Sequence, residues 1–308
     1  MLIALLTIFV VGLFFGSFLN LVVDRLQVGK GIFSGRSHCD SCKKALGASD
    51  LIPLLSFALV RGQCRYCHTK LSYYYPISEL ITGAGFVAMA VYSGFGGWLQ
   101  SYLSFSGAGD AGAGVQNLSL GVWFLYLLVI LSFYIIMFLS DLKYRILPNA
   151  VVFPAILVVA LMLLSNLVYS LWSSYSTLAA DTFGKYLIQA GFWQNQLVTS
   201  LSQVSYTLIS AFVIYAFFWG LVYFTKGRGM GGGDVKLAFL IGLFNGFPYN
   251  ILAIFLGFLF GATFSVVLIA LGKKGMKSTI AFGPFLILGS LAALFFGKLI
   301  LRVYLGVF

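Results

Sequence analysis

Long apolar runs near residues 1–23, 76–93, 120–140, 147–169, 201–224, 251–271 and 279–303 leave this chain few folds to choose from. At about 1.5 Å per residue, such runs are long enough as helix to cross roughly 30 Å of hydrocarbon. An eighth run, about 235–247, is shorter. Beta-barrel alternation is absent, so in lipid the backbone can satisfy its own N–H and C=O groups only as helix. With 60% hydrophobic and 9% charged residues and a mean hydropathy of +0.99, the chain reads as an all-α polytopic membrane protein with about eight transmembrane helices.

The basic residues set an orientation, because cytoplasmic loops retain Lys and Arg. With the N-terminus outside and eight crossings, every Lys and Arg falls inside except Lys185, Lys298 and Arg302. Both termini are then expected outside. The opening stretch "MLIALLTIFVVGLFFGSFLN" has neither a basic n-region nor a small-residue cleavage site, so it is expected to stay as the first span. Positive-inside retention accounts for most of the net charge of +11. The expected partner of that charge is anionic lipid, and no groove-reading or base-stacking module argues for nucleic acid.

The chain divides by composition into a first helix at 1–23, a polar segment at 24–75 and a multi-helix membrane part at 76–308. The polar segment holds all four cysteines and much of the basic charge, which marks a small cytoplasmic domain between helices 1 and 2. The outside segments, about 94–119 and 170–200, are rich in Gly, Ser, Ala, Asn and Gln. Within them, "SGAGDAGAGVQN" at 106–117 reads as a loop tip.

Cys39, Cys42, Cys64 and Cys67 form "CDSC" and "CRYC". Two C-x-x-C knuckles can hold four thiolates tetrahedrally around one Zn²⁺. Two disulfides or four free thiols would be the alternatives, and a reducing cytoplasm disfavours the first. A closed four-thiolate site has no open coordination position, so the zinc would be structural, folding a domain too small for its own core. His38 and His68 each adjoin a cysteine and could substitute as ligands, though an exposed bystander role is the simpler reading.

Acidic residues are scarce, eight in all. Asp24, Asp40 and Asp50 fall in the polar segment; Asp110 and Asp181 fall outside. Glu79, Asp141 and Asp234 remain at membrane boundaries. Asp141 ends the third helix in "SDLKYRILPN", with Pro148 helping to start the next. Asp234 opens the short eighth run, after "GMGGG". Two carboxylates at one depth are what aspartic proteolysis needs: one ionised to activate water, one protonated to polarise the scissile carbonyl. The helix fields expect Asp234, at an N-terminus, as the base and Asp141, at a C-terminus, as the acid. Otherwise both are interfacial caps paired with Lys143, Arg145 or Lys236. Gly231, Gly232 and Gly233 favour the catalytic reading, since backbone without Cβ atoms lets an extended substrate approach.

These residues resemble the blocks of bacterial type 4 prepilin peptidases, the GxGD class of membrane aspartic proteases. The resemblance runs through "GSFLNLVVDRL" (16–26), "RSHCDSCKKAL" (36–46), "DLIPLLSFALVRGQCRYC" (50–67), "YPISELITG" (75–83), "SDLKYRILPN" (140–149), "GMGGGDVKLA" (229–238) and "FGPFL" (282–286). It implies catalytic aspartates at Asp141 and Asp234, and a pilin-like precursor cut after a glycine between a basic leader and an apolar helix. It also implies a bacterial inner-membrane enzyme acting at the cytoplasmic face. Most members then methylate the new N-terminus with S-adenosylmethionine, a step linked to the cysteine domain. Gly62 corresponds to a methylation-linked glycine, while Gln63 departs from the Lys or Arg common there. A cleavage-only peptidase, a transporter with mid-membrane acids and a zinc-stabilised scaffold are the competing readings.

Overall fold

The computed structural model describes residues 2–29, 31, 37–39, 41–95, 111–227, 230–272 and 280–306. Lys30, Arg36, Asp40, Asp110, Arg228, Gly229, Lys273, Lys274, Lys277 and the first part of the 106–117 stretch lie outside the described residues. The chain forms two compact units, Met1–Ser140 and Asp141–Phe308.

In the first unit, helix α1 spans Leu2–Val28, a one-turn α2 spans Leu55–Leu59 and α3 spans Tyr74–Ser93. Helix α4, Ala111–Tyr144, ends four residues into the second unit. Lipid offers no hydrophobic force between helices, so α1 and α3 must associate by close contact and hydrogen bonds. Gly12 and Gly16 lie four apart, on one face of α1. A Cβ on Gly12 would stand 2.8 Å from the Cα of Gly83, and one on Gly16 would stand 2.8 Å from the Cα of Glu79. Polar contacts continue along the same seam. The Asn20 amide donates to Ser78 Oγ at 2.7 Å, and Tyr75 donates its hydroxyl to Asp24 at 3.3 Å. Glu79 accepts from the Leu54 amide at 2.9 Å and from the Ser17 hydroxyl. The sequence blocks 16–26 and 75–83 are thus the two sides of one helix contact.

The second unit contains α5 (Asn149–Ala180), α6 (Thr182–Gln189), α7 (Phe192–Phe224), α8 (Gly232–Asn245), α9 (Tyr249–Ala270) and α10 (Gly283–Leu305). Helix α8 packs against α5, α7, α9 and α10. Its Val235, Leu237, Ala238, Leu240, Ile241 and Leu243 are all buried. Gly242 lies against Ala211, and Gly246 lies near Thr207, so α8 runs antiparallel alongside α7. Fourteen residues rise only about 21 Å, less than the hydrocarbon thickness. Surrounding helices, rather than lipid, cover it. Between α9 and α10, a Cβ on Gly257 would come within 3.1 Å of the Leu286 Cα, and one on Gly289 would overlap the Ala253 carbonyl.

The fold is all-α and polytopic. Among the described residues, α1, α3, α4, α5, α7, α9 and α10 are long and apolar enough to cross a membrane, and the eighth apolar run is the short α8. Two segments expected as loops are largely helical. Helix α4 begins at Ala111, inside the expected loop tip, and residues 170–200 are taken up by the end of α5, α6 and the start of α7. In residues 170–200 the Ser and Thr side chains explain the difference. Ser174 donates to the Ser170 carbonyl at 2.7 Å, Thr177 to Ser173 at 2.6 Å and Thr199 to Asn195 at 2.8 Å. Hydroxyls that suggest a loop are here absorbed by the preceding helical turn.

Candidate active site and metal centre

Asp141 lies in the last turn of α4, and the chain turns sharply after Tyr144, where Arg145 has a φ of +55°. Pro148 then caps α5. Asp234 lies in the first turn of α8, which Gly231 caps in extended conformation. The Asp234 amide donates to the Gly231 carbonyl at 3.2 Å, and the Gly231 amide donates to the Asp234 carboxylate. The fold brings the Asp141 and Asp234 carboxylates close enough to repel one another. Asp141 is buried, with 6% of its surface exposed, and its Oδ2 has no hydrogen-bond partner among the described residues. A buried carboxylate oxygen without a donor is costly unless it holds a proton or meets a water or ligand.

The surroundings add two features that sequence alone did not supply. The Gly283 amide, at the start of α10, donates to the Asp141 carboxylate. Asp141 therefore sits at the C-terminus of its own helix and at the N-terminus of another. Opposed helix ends therefore no longer separate the two acids into base and acid. Lys236, offered above as a partner for these acids, instead donates to Asn149 Oδ1 at 2.8 Å, with Phe153 5.2 Å beneath its ammonium group.

The three glycines separate into different environments. A Cβ on Gly232 would meet nothing within 4 Å, and one on Gly231 would approach only Asp234 and the Gly233 amide, near 4 Å. A Cβ on Gly233 would press on Leu147 at 3.0 Å. Among the described residues, therefore, nothing crowds Gly231 or Gly232, while Gly233 packs under the α4–α5 turn.

In the first unit the sulfurs of Cys39, Cys42, Cys64 and Cys67 all lie within 4.8 Å of one another. Cys39 and Cys67 sulfurs are 3.9 Å apart. Tetrahedral zinc thiolates, with Zn–S near 2.3 Å, need sulfurs about 3.8 Å apart, so the four residues fit the metal. All four thiols are free of disulfides. The two knuckles are built alike. The Cys39 amide donates to the Lys44 carbonyl and the Cys64 amide to Thr69, while the amides of Lys43 and His68 return to Cys39 and Cys64. Lys43 and His68 take the same left-handed φ, 58° and 56°. His68 is thus a turn residue, His38 pairs with Ala45 in a short bridge, and the candidate metal group is cysteine alone. Amides of Cys42 and Ser41 lower the Cys39 thiol, and the hydroxyl and amide of Thr69 hold Cys67 down to about 6. Cys42, despite the Lys44 amide, is pushed up to about 11 by desolvation and by the sulfurs of Cys67 and Cys39.

Gly62 has a φ of +71°, donates its amide to Phe57 and accepts from the Leu71 amide, closing α2 onto the second knuckle. A Cβ there would press on the Phe57 ring at 3.2 Å.

Residues 10–93 match the Bacterial Peptidase A24 N-terminal domain, and residues 180–266 match the Type IV leader peptidase family. The second match includes Asp234; Asp141 falls between the two. Curated relatives align over nearly the whole chain. A protein of Bacillus subtilis is 25% identical, covering 97% of this chain and 96% of its own. One of Aeromonas salmonicida is 27% identical, covering 97% and 93%, and one of Pseudomonas aeruginosa is 27% identical, covering 96% and 91%. Each is named prepilin leader peptidase/N-methyltransferase. No solved structure gives a significant match. With both family models matched and curated relatives aligned over nearly its whole length, the chain belongs to the type IV leader peptidase family.

Proposed function

We propose that this protein is a membrane aspartic endopeptidase that removes the basic leader from type 4 prepilins or pilin-like secretion proteins, and then N-methylates the new N-terminus. The observation that carries the reading is that Asp141 and Asp234, from helices distant in sequence, come near enough to repel one another, with one buried Asp141 oxygen unpartnered among the described residues. In aspartic proteolysis such a pair shares one proton. The ionised member takes a proton from water as the water oxygen attacks the scissile carbonyl, and the protonated member donates to the carbonyl oxygen; the C–N bond then breaks as the first member passes its proton to the leaving amine and the second recovers its own. Gly231 and Gly232 leave room for an extended substrate strand to lie beside Asp234.

The segment 24–75 is proposed as a cytoplasmic domain held by structural zinc on Cys39, Cys42, Cys64 and Cys67. S-adenosylmethionine, when bound, supplies a methyl group to the amine freed by cleavage. A sulfonium cation suits acidic surroundings, and Asp24 and Glu79 are the acids where α1 and α3 adjoin the cysteine segment. Gly62 enters the methylation step as the turn that shapes the second knuckle. The protein is placed in the bacterial inner membrane with both termini outside and the aspartates facing the cytoplasm, where prepilin leaders are exposed. Mass spectrometry of a co-expressed prepilin tests both activities. Leader loss with one added methyl group is expected; an intact precursor would refute the peptidase reading, and an unmethylated product would reduce it to cleavage alone.

A further inference from the structure

The first turn of α10 leaves one backbone donor to account for. Pro284 has no N–H, and the amides of Phe285 and Leu286 both run to the Phe282 carbonyl, at 3.0 and 3.3 Å. The Gly283 amide leaves its own helix and donates to the Asp141 carboxylate. At the same residue the missing side chain matters. A Cβ on Gly283 would lie 2.7 Å from Asp141 Oδ2, 3.4 Å from its Cγ and 3.5 Å from Leu237 Cδ2. Gly283 has no positive φ, so backbone strain does not explain the glycine. Contact with the carboxylate does.

We infer that Gly283 is a positioning residue for proteolysis, its amide anchoring the Asp141 carboxylate and its lack of a side chain leaving that carboxylate space. The inference rests on the reading of Asp141 and Asp234 as the catalytic pair. The start of α10 is held by the Phe282 ring, 5.0 Å from the Phe258 ring on α9 and 6.5 Å from that of Phe218 on α7. Phe218 and Leu237 are fully buried. An added methyl group at 283 therefore meets a fixed backbone on one side and a rotatable carboxylate on the other. The carboxylate moves, and folding is spared at the expense of chemistry.

Two changes in the full-length protein test this: Gly283→Ala, and an ester in place of the 282–283 amide, which deletes the donor without adding a side chain. The probe is a synthetic peptide with a basic leader, a glycine and an apolar segment. Both variants are expected to keep the thermal midpoint and KM of the parent while kcat falls about a hundredfold, as an ångström-scale misplacement produces. The pH limits of kcat/KM should move as well, because the carboxylate has lost its anchoring donor. Parental rates, or a fall with unmoved pH limits, would overturn the inference and leave Gly283 a packing residue. If Gly283→Ala does not fold, the ester variant decides alone. Asp141→Asn in the same assay separates the two levels: activity there refutes the catalytic pair, whereas its inactivity beside normal Gly283 variants refutes only the positioning role.

Discussion

Gly232 and Gly233 are neighbours with opposite surroundings. Among the described residues, nothing lies within 4 Å of a Cβ added at Gly232. Gly232→Ala should therefore leave folding unchanged or stabilise it by about 0.4–1 kcal/mol through the unfolded chain. Its cleavage of a prepilin peptide should nonetheless fall about a hundredfold if substrate backbone occupies that space. Thermal unfolding and turnover, measured on one preparation, check both halves; a parental rate would return Gly232 to helix capping. Gly233→Ala should instead lower the thermal midpoint, since its Cβ would crowd Leu147 at 3.0 Å. The sequence marks the glycine run as a candidate for close approach of substrate. That Gly233 packs on Leu147 could not be read from it, because that contact is a tertiary fact.

Helix by helix, the membrane pattern could be read from apolar runs, and the long helices lie where those runs occur. The failures have a common physical origin. Composition cannot distinguish a Ser- and Thr-rich loop from a helix whose hydroxyls bond back to their own carbonyls, as Ser174 and Thr177 do. Nor does a count of apolar residues reveal that α8 is too short to span unaided and is covered by its neighbours. The α1–α3 seam offers a prediction of its own. Gly16→Leu would force a side chain into a backbone already 2.8 Å from the first added carbon, and overpacking of this kind costs about 1–3 kcal/mol. Denaturant unfolding in micelles should register that loss, while Gly121→Leu, at a site with nothing within 4 Å, should not.

Over the whole chain, four thiols and two carboxylates organise separate units, and they should fail separately. One zinc per chain is expected by elemental analysis of the purified protein, and changing Cys39 and Cys42 together to Ser should abolish it. Metal loss unfolds a domain built around its ligands, so methylation should fall more than cleavage. A metal-free protein with intact methylation would contradict the structural role of the site. The four-cysteine group was readable from spacing alone because the ligands lie close in sequence. Asp141 and Asp234 stood out in the sequence as candidates, but Gly283, which lies against the Asp141 carboxylate, comes from α10, remote in sequence, and only the fold brings it there.

Whether Asp141 and Asp234 act as one proton-sharing pair is tested most directly by turnover of a prepilin peptide by the two single asparagine variants. Asp141→Asn and Asp234→Asn should each retain the parental thermal midpoint and zinc content while cleavage falls to the uncatalysed background, because neither half of such a pair works alone. Normal cleavage by either folded variant would contradict the account.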